Sequence, residues 1–209
     1  MRYHFTHLRL FFMALTVMLA STALAQNQQP YEPPTSFDEA IHTPEIKDNR
    51  ARNAIVNYQM RQAQILSENR NLNIMTIRDK EVIIISIPAD LLFGPNQTDL
   101  IPEADNVLRV YCEFLQSPDF YRMALVMHHD NSGSESFSNE ITQMRVQSVY
   151  DWFLANATSV RYISQFYMGN KEPLLPNNSI NNRRQNRRLE IYLIPGNAMI
   201  EQAKKNQLR

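Results

Sequence analysis

The chain has 209 residues, 21 basic against 21 acidic side chains, 44% hydrophobic residues and one cysteine. That balance gives no global attraction for nucleic acid or anionic lipid. A lone cysteine excludes a disulfide framework, so a hydrophobic core has to stabilise the fold. Taken in chain order, the first 25 residues read as a secretory signal. Arg2 and Arg9 supply positive charge, Leu10 to Leu19 is an apolar run, and Ala23-Leu24-Ala25 is a small-x-small cleavage site. The run falls short of the ~20 residues that span a bilayer, and no cysteine closes it to take a lipid. Cleavage would remove two arginines, leaving 19 basic (21 − 2) against 21 acidic residues in an exported chain.

Residues 26–44 carry Gln26, Gln28, Gln29 and prolines 30, 33, 34 and 44, a composition expected to form an extended arm. From 45 to 70 no proline or glycine occurs, and Ala51, Ile55, Tyr58 and Ile65 recur at helical spacing. Such an amphipathic helix has three uses: packing on the following domain, self-association into a homo-oligomer, or docking an outer-membrane or periplasmic protein partner. Leu72 to Ile77 and Val82 to Ile87 flank the polar turn Arg78-Asp79-Lys80-Glu81, predicting a hairpin. The second strand is almost wholly apolar and rich in β-branched residues, as in strands buried on both faces.

Pro102 suits the first turn of a helix running through Val107, Leu108, Tyr111 and Leu115. An α-helical period places Cys112 on the same buried face, inert to alkylation. Met123 to His128 predicts a further strand. Ser138 to Asn156 predicts a helix with Ile141, Met144, Val149, Trp152 and Phe153 inward. Tyr162 to Tyr167 reads as a strand or an irregular link. Arg188 to Ile194 alternates, with Leu189, Ile191 and Leu193 inward, Pro195 ends it, and 197–209 reads as a polar tail. The order β-β-α-β-α-β-β is that of an α/β (α+β) two-layer sandwich over residues 71–196, preceded by one helix.

Two charges fifteen residues apart (145 − 130) stand out for function. Asp130 lies in Met127-His128-His129-Asp130-Asn131-Ser132-Gly133-Ser134, at a strand end. Arg145 lies inside the next helix, and an arginine-rich Asn182-Arg183-Arg184-Gln185-Asn186-Arg187-Arg188 follows later. A carboxylate and a guanidinium facing one pocket suit a zwitterion, its ammonium on the acid and its carboxylate on the base. Structural alternatives exist for both. Asp130 also fits a turn acid before Asn131-Ser132-Gly133, and Arg145 fits a stem packed on the core with its head in water. The His-His-Asp run is a poor metal site, because on a strand His128 and Asp130 share a face that His129 does not. No catalytic motif or cofactor loop is present: there is no Gly-x-Ser-x-Gly, no His-Glu-x-x-His, and the chain has only four glycines.

The order and spacing of these pieces over residues 82–195 resemble the OmpA-like peptidoglycan-binding domain. Its three motifs read roughly G-H-T-D-x-x-G-S, N-x-x-L-S-x-x-R-A and G-R-x-x-N-R-R-V-E-I. The resemblance implies a non-enzymatic, periplasmic protein that binds peptidoglycan and takes no cofactor, anchoring an envelope component or associating with the outer membrane through a partner. Residue by residue it implies Asp130 on the ammonium of the stem-peptide diaminopimelate and Arg145 on its carboxylate. Asn96 corresponds to the hydrogen-bonding loop residue, and Arg187 to the first arginine of the N-R-R motif. Four positions depart from the pattern. Met127 stands for a glycine, His129 for the threonine, Ser138 for an asparagine and Asn182 for the opening glycine. Loss of one amide contact at Ser138 is expected to cost ~1 kcal/mol, about fivefold in affinity. The other reading that fits the same fold is an interaction module whose groove holds a protein.

Overall fold

Ser36 carries the first helix-start signal among the described residues. In this computed structural model, which describes residues 31–68 and 72–208, its side chain accepts from the Glu39 backbone N–H at 3.1 Å. Glu39 reaches back to the Thr35 backbone and hydroxyl at 2.8 and 2.9 Å, closing a variant of the capping box. Helix α1 follows at Phe37–His42, within the stretch expected to be an extended arm. Ala40 is buried, and Phe37 stacks edge-on against Tyr192 at 5.1 Å. Further on, Arg78 donates to the carbonyls of Ile41 and Pro44 at 2.7 and 3.1 Å. The described part of the arm is thus packed rather than free, because a cap and the contacts of Phe37 with Tyr192 and Phe166 outweigh the proline-rich composition. The signal-peptide reading lies outside the described residues.

Helix α2, Asn49–Ser67, is capped by Asp48. Its buried stripe is Ala51, Ile55, Gln59 and Ala63, a period of four. Ile65, expected inside, is 59% exposed. Gln59 takes a core position because all its polar atoms find partners. Its amide donates to the carbonyls of Glu81 and Leu193 at 2.8 and 3.3 Å, and Tyr121 Oη donates to its Oε1 at 2.8 Å. Of the three uses open to this helix, packing is the one observed: α2 lies against β1 and the C-terminal helix.

The sheet has five strands: β1 Asn73–Ile77, β2 Val82–Pro88, β3 Tyr121–His128, β4 Ile163–Gly169 and β5 Arg188–Pro195. Their order is β1-β2-β5-β3-β4, with only β3 and β4 parallel. Strand alternation sorts the side chains. Ile83, Ile85, Ile87, Met123, Leu125, Met127, Leu189, Ile191 and Leu193 face the helices in the main core. Val82, Ile84, Ala124, Val126, Tyr192 and Ile194 face the other way, under α1. Full burial of each large aliphatic side chain contributes ~1.5–3 kcal/mol.

Helix α3 is Ala104–Arg109, and it tightens to a 3-10 turn over Val110–Leu115. Three residues per turn bring Leu108, Tyr111 and Phe114 inward. That leaves Cys112 half-buried rather than in the core, a correction that an uninterrupted α period could not foresee. Burial still pushes its thiol up. Helix α4 begins at Glu135, three residues earlier than expected, because Ser134 caps it, accepting from the Phe137 N–H at 3.1 Å. Its inward residues are Ser138, Ile141, Thr142, Arg145, Val146, Val149 and Phe153, while Met144 is 48% exposed and Trp152 half-buried. The first half of that stripe is polar where an amphipathic helix would be apolar. A short helix α5, Ile180–Asn186, precedes β5, and α6, Asn197–Lys204, replaces the expected tail, burying Met199, Ile200 and Ala203.

Candidate functional site

The polar half of α4 marks one end of the sheet, where β3 stops at His128. The β3–β4 register shifts there: Met127 pairs with Tyr167, His128 with Gly169. The His129 N–H donates to Gly169 O at 2.7 Å, and the Gly169 N–H donates to Thr142 Oγ1 at 3.3 Å. Gly169 has φ 55°, and a Cβ there would meet Asn139 Oδ1 at 2.3 Å, so a side chain would be both strained and in collision. This bulge turns the chain out of the strand before Asp130. His128 remains on the sheet, on the face away from the helices. His129 and Asp130 sit beyond it, which corrects the expectation that His128 and Asp130 share a face.

Asp130 is fully buried. Its Oδ1 accepts from the Ser132 N–H at 2.7 Å, an Asx turn, and also from the Ser132 hydroxyl. Its Oδ2 accepts from Arg187 Nη1. Burial pushes the carboxyl pKa up, but the two Ser132 bonds, and after them Arg187, outweigh it and hold the group below the usual carboxylate range. The turn-acid expectation is the one these contacts meet. His129 packs edge-on against Phe137 at 5.9 Å, with Nδ1 3.0 Å from the Asp130 carbonyl. Its pKa is lowered, chiefly by burial.

Arg145 is only 4% exposed. Its head does not reach water as the packed-stem reading expects. Nε donates to Gln97 O at 2.8 Å, Nη2 to Gly94 O at 3.3 Å, and the guanidinium lies 4.8 Å over the Phe93 ring. No carboxylate among the described residues pairs with it. Burial, then the charge of Arg187, pushes its pKa down to about 10, which leaves it cationic at neutral pH. The two carbonyls fix the turn Gly94–Gln97, in which Gln97 N–H donates to Gly94 O at 3.0 Å. Pro95 takes the second position and Asn96 the third, with φ 55°, the placement such a turn favours. Asn96 is exposed on this turn, held beside the site by Arg145.

Arg187 is placed by the residue before it. Asn186, fully buried, pairs with both the N–H and C=O of Leu175 at 2.9 and 2.7 Å and donates to Asn177 Oδ1 at 2.8 Å. That clamp ends α5 and turns the next side chain towards Asp130. Arg187 keeps 35% of its side chain exposed. Ser138 is buried, and its hydroxyl donates to Ser134 O at 3.1 Å, a bond within its own helix. Named contacts join His129, Asp130 and Arg187 in one group and Arg145 with the Asn96 turn in another, and the charge of Arg187 acts across to Arg145. Ser138 is tied to its helix start. Sequence reasoning missed Gly169, Thr142 and Asn186, which hold the backbone of the expected site residues: Gly169 takes the His129 N–H, Thr142 donates to Ser138 O, and Asn186 precedes Arg187. A glycine at a strand end, in a chain with four, was the available signal for the first. Among the described residues no three His, Cys, Asp or Glu side chains converge as a metal site needs.

Residues 92–187 match the model of the OmpA family. Among curated proteins, the chain is 23% identical over 142 residues to the probable lipoprotein YiaD of Escherichia coli, covering 67% of this chain and 65% of that protein. It is 27% identical over 103 residues to the peptidoglycan-binding protein ArfA of Mycobacterium tuberculosis, covering 49% and 32%. The match spans less than two thirds of either relative. Among solved structures, a putative MotB-like protein from Desulfovibrio vulgaris superposes with TM-score 0.59 at 22% identity, over 69% of this chain and 98% of that one, a likeness of fold.

Proposed function

We propose, from the premise that residues 92–187 of this chain are an OmpA family domain, that the protein binds peptidoglycan without chemistry, through a zwitterionic group of the stem peptide. The observation that carries this is the charge set at one end of the sheet: one buried carboxylate, Asp130, paired with Arg187, whose charge in turn acts on the buried guanidinium of Arg145. The ligand ammonium is assigned to Asp130 and its carboxylate to Arg145, with Asn96 and His129 on the flanks; diaminopimelate carries both groups. The chain acts from the periplasm after export and holds an envelope component to the wall.

Binding on this reading is an exchange. In the free protein Arg187 occupies Asp130 Oδ2, and an incoming ammonium takes that oxygen. The displaced Arg187, a third exposed and so able to swing, then turns to the ligand carboxylate beside Arg145. Two charge-assisted bonds of ~1.5–3 kcal/mol each, less the ordering cost and the bond given up, make a weak single site. A polymeric wall supplies many copies of the ligand, and tethering to one engagement raises the rest.

Titration calorimetry with a diaminopimelate-containing muropeptide tests this. Saturable binding that weakens as salt rises is expected. Equal binding of a lysine-containing muropeptide, which lacks the second carboxylate, would remove the assignment to Arg145. One observation favours a second reading, an interaction module for a protein partner: Asp130 is already paired and fully buried. Envelope proteins captured by the intact protein, together with no muropeptide response, would select it.

A further inference from the structure

At the opposite end of β3 from the site above, a cavity of about 300 Å³ lies between α2 and the start of the strand. Tyr58, Phe114, Phe120 and Tyr121 line it together with polar residues, and most of the surface it offers is polar. Tyr58 and Phe120 cross at 83° with ring centroids 5.9 Å apart, Phe120 and Tyr121 at 78° and 5.5 Å, and Phe114 and Tyr121 at 87° and 5.2 Å. Glu113 and Gln62 stand at the mouth. Glu113 is exposed and forms no ion pair or side-chain hydrogen bond among the described residues. It lies close enough to Tyr58 and Tyr121 for its charge to act on both phenols. The inner rings are fixed: Tyr121 and Phe114 are 3% and 6% exposed, and the Tyr121 hydroxyl is held by Gln59.

Two half-buried rings, Tyr58 and Phe120, beside a polar mouth with one unpaired carboxylate complement a cation. Ring faces carry negative quadrupole charge and attract ammonium groups. The molecule already shows the preference, since the Arg61 guanidinium lies 5.7 Å from the Tyr58 centroid on its own helix. We propose that this cavity is a docking site for a basic side chain, a lysine or arginine presented by a partner protein, with Tyr58 and Phe120 on the alkyl stem and Glu113 on the charge. The site is separate from the wall-binding one. Tyr121 opens β3 and His128 closes it, so the two ends are seven rises of ~3.3 Å apart, roughly 23 Å, and both can be filled at once. It also lies outside the face that binds the wall, where an anchored component would have to attach.

The probes are blocked lysine (Nα-acetyl-lysine methylamide) and blocked norleucine, which has a similar stem and no charge. Each is titrated into the whole protein while the aromatic proton resonances of Tyr58 and Phe120 are followed. Lysine should shift both saturably and norleucine should not. Glu113→Gln, an exposed and fold-neutral change, should weaken the lysine response by about fivefold. Tyr58→Phe, which keeps the ring, should leave it intact. Equal shifts with norleucine, an unchanged response in Glu113→Gln, or no saturable shift at all would overturn the proposal. So would ring shifts that track protein concentration alone, since those place a second copy of the chain in the cavity.

Discussion

Arg187 and Arg188 are neighbours in the chain and opposites in the fold. Arg187 lies just before β5, keeps a third of its side chain in solvent, and reaches Asp130 across the sheet end. Arg188 is the first residue of β5 and is sealed on the face away from the helices. Its Nε donates to Glu190 Oε1 at 2.7 Å, and its remaining nitrogens reach the carbonyls of Asn186 and Glu172. Tyr192 Oη donates to Glu190 Oε2 at 2.6 Å, and His128 Nε2 lies 3.3 Å from the same oxygen. One residue of register therefore separates an arginine that can exchange partners from one that cannot. The difference lies in how many partners each group has and how far water reaches it, since the side chains are the same.

The sealed cluster should dominate stability. Glu190→Ala leaves the Arg188 guanidinium buried without its carboxylate and the Tyr192 hydroxyl without its acceptor. Removing one partner of a buried pair costs ~3–5 kcal/mol, so the urea midpoint should fall steeply. A loss below ~1 kcal/mol would show that water enters this face and would dissolve the contrast.

Acid should find the same cluster. Burial pushes the Glu190 pKa up, but the His128 contact, then Arg188 and Tyr192, bring it down to about 2 from the usual 4.5. A carboxyl depressed in the folded state contributes stability that is complete above the unfolded value and is lost as pH falls through the folded one. The window is therefore pH 4.5 down to about 2, with a depth of about 3 kcal/mol. Asp130, also depressed, adds to the loss in the same direction. Urea midpoints measured across that range should fall for the wild-type protein and change much less for Glu190→Gln. Parallel curves would place the acid-sensitive group elsewhere.

Arg187→Met should be gentler on the fold and visible in binding. Its head is partly solvated, and Asp130 keeps both Ser132 bonds. If Arg187 turns to the ligand carboxylate, its loss should weaken muropeptide binding by about tenfold, one charge-assisted bond, and flatten the salt dependence. Tighter binding would instead make Arg187 only a competitor for Asp130.

Much of the fold was legible because its signals are periodic. The β-branched run Val82–Ile87, the alternation of Leu189, Ile191 and Leu193, and the inward Ile141, Val149 and Phe153 of α4 each follow from local spacing, whereas Met144 and Trp152 of the expected stripe do not lie in the core. What was hidden depends on partners distant in sequence. Gln59 reads as a surface residue until Tyr121 and two strand carbonyls meet it. Cys112 reads as buried until the helix tightens at Val110. Ser36-Phe37-Asp38-Glu39 did carry a capping signature, masked by the prolines on either side. The site divides in the same way. Asp130 and Arg145 stand out as charges among apolar neighbours, whereas the pairing of Asp130 with Arg187, 57 residues on, and the hold of Arg145 on the Gly94–Gln97 turn exist only once β3, α4 and β5 have come together.

The most direct test of wall binding is co-sedimentation with purified, diaminopimelate-containing sacculi, comparing the wild-type protein with Asp130→Asn. That substitution keeps the side-chain shape and the Asx turn while removing the charge that receives the ammonium. Wild-type protein should pellet with the sacculi and the variant should stay in the supernatant, with unchanged circular dichroism and unfolding free energies within ~1–2 kcal/mol of each other. A folded Asp130→Asn protein that pellets as fully as the wild type would contradict the account.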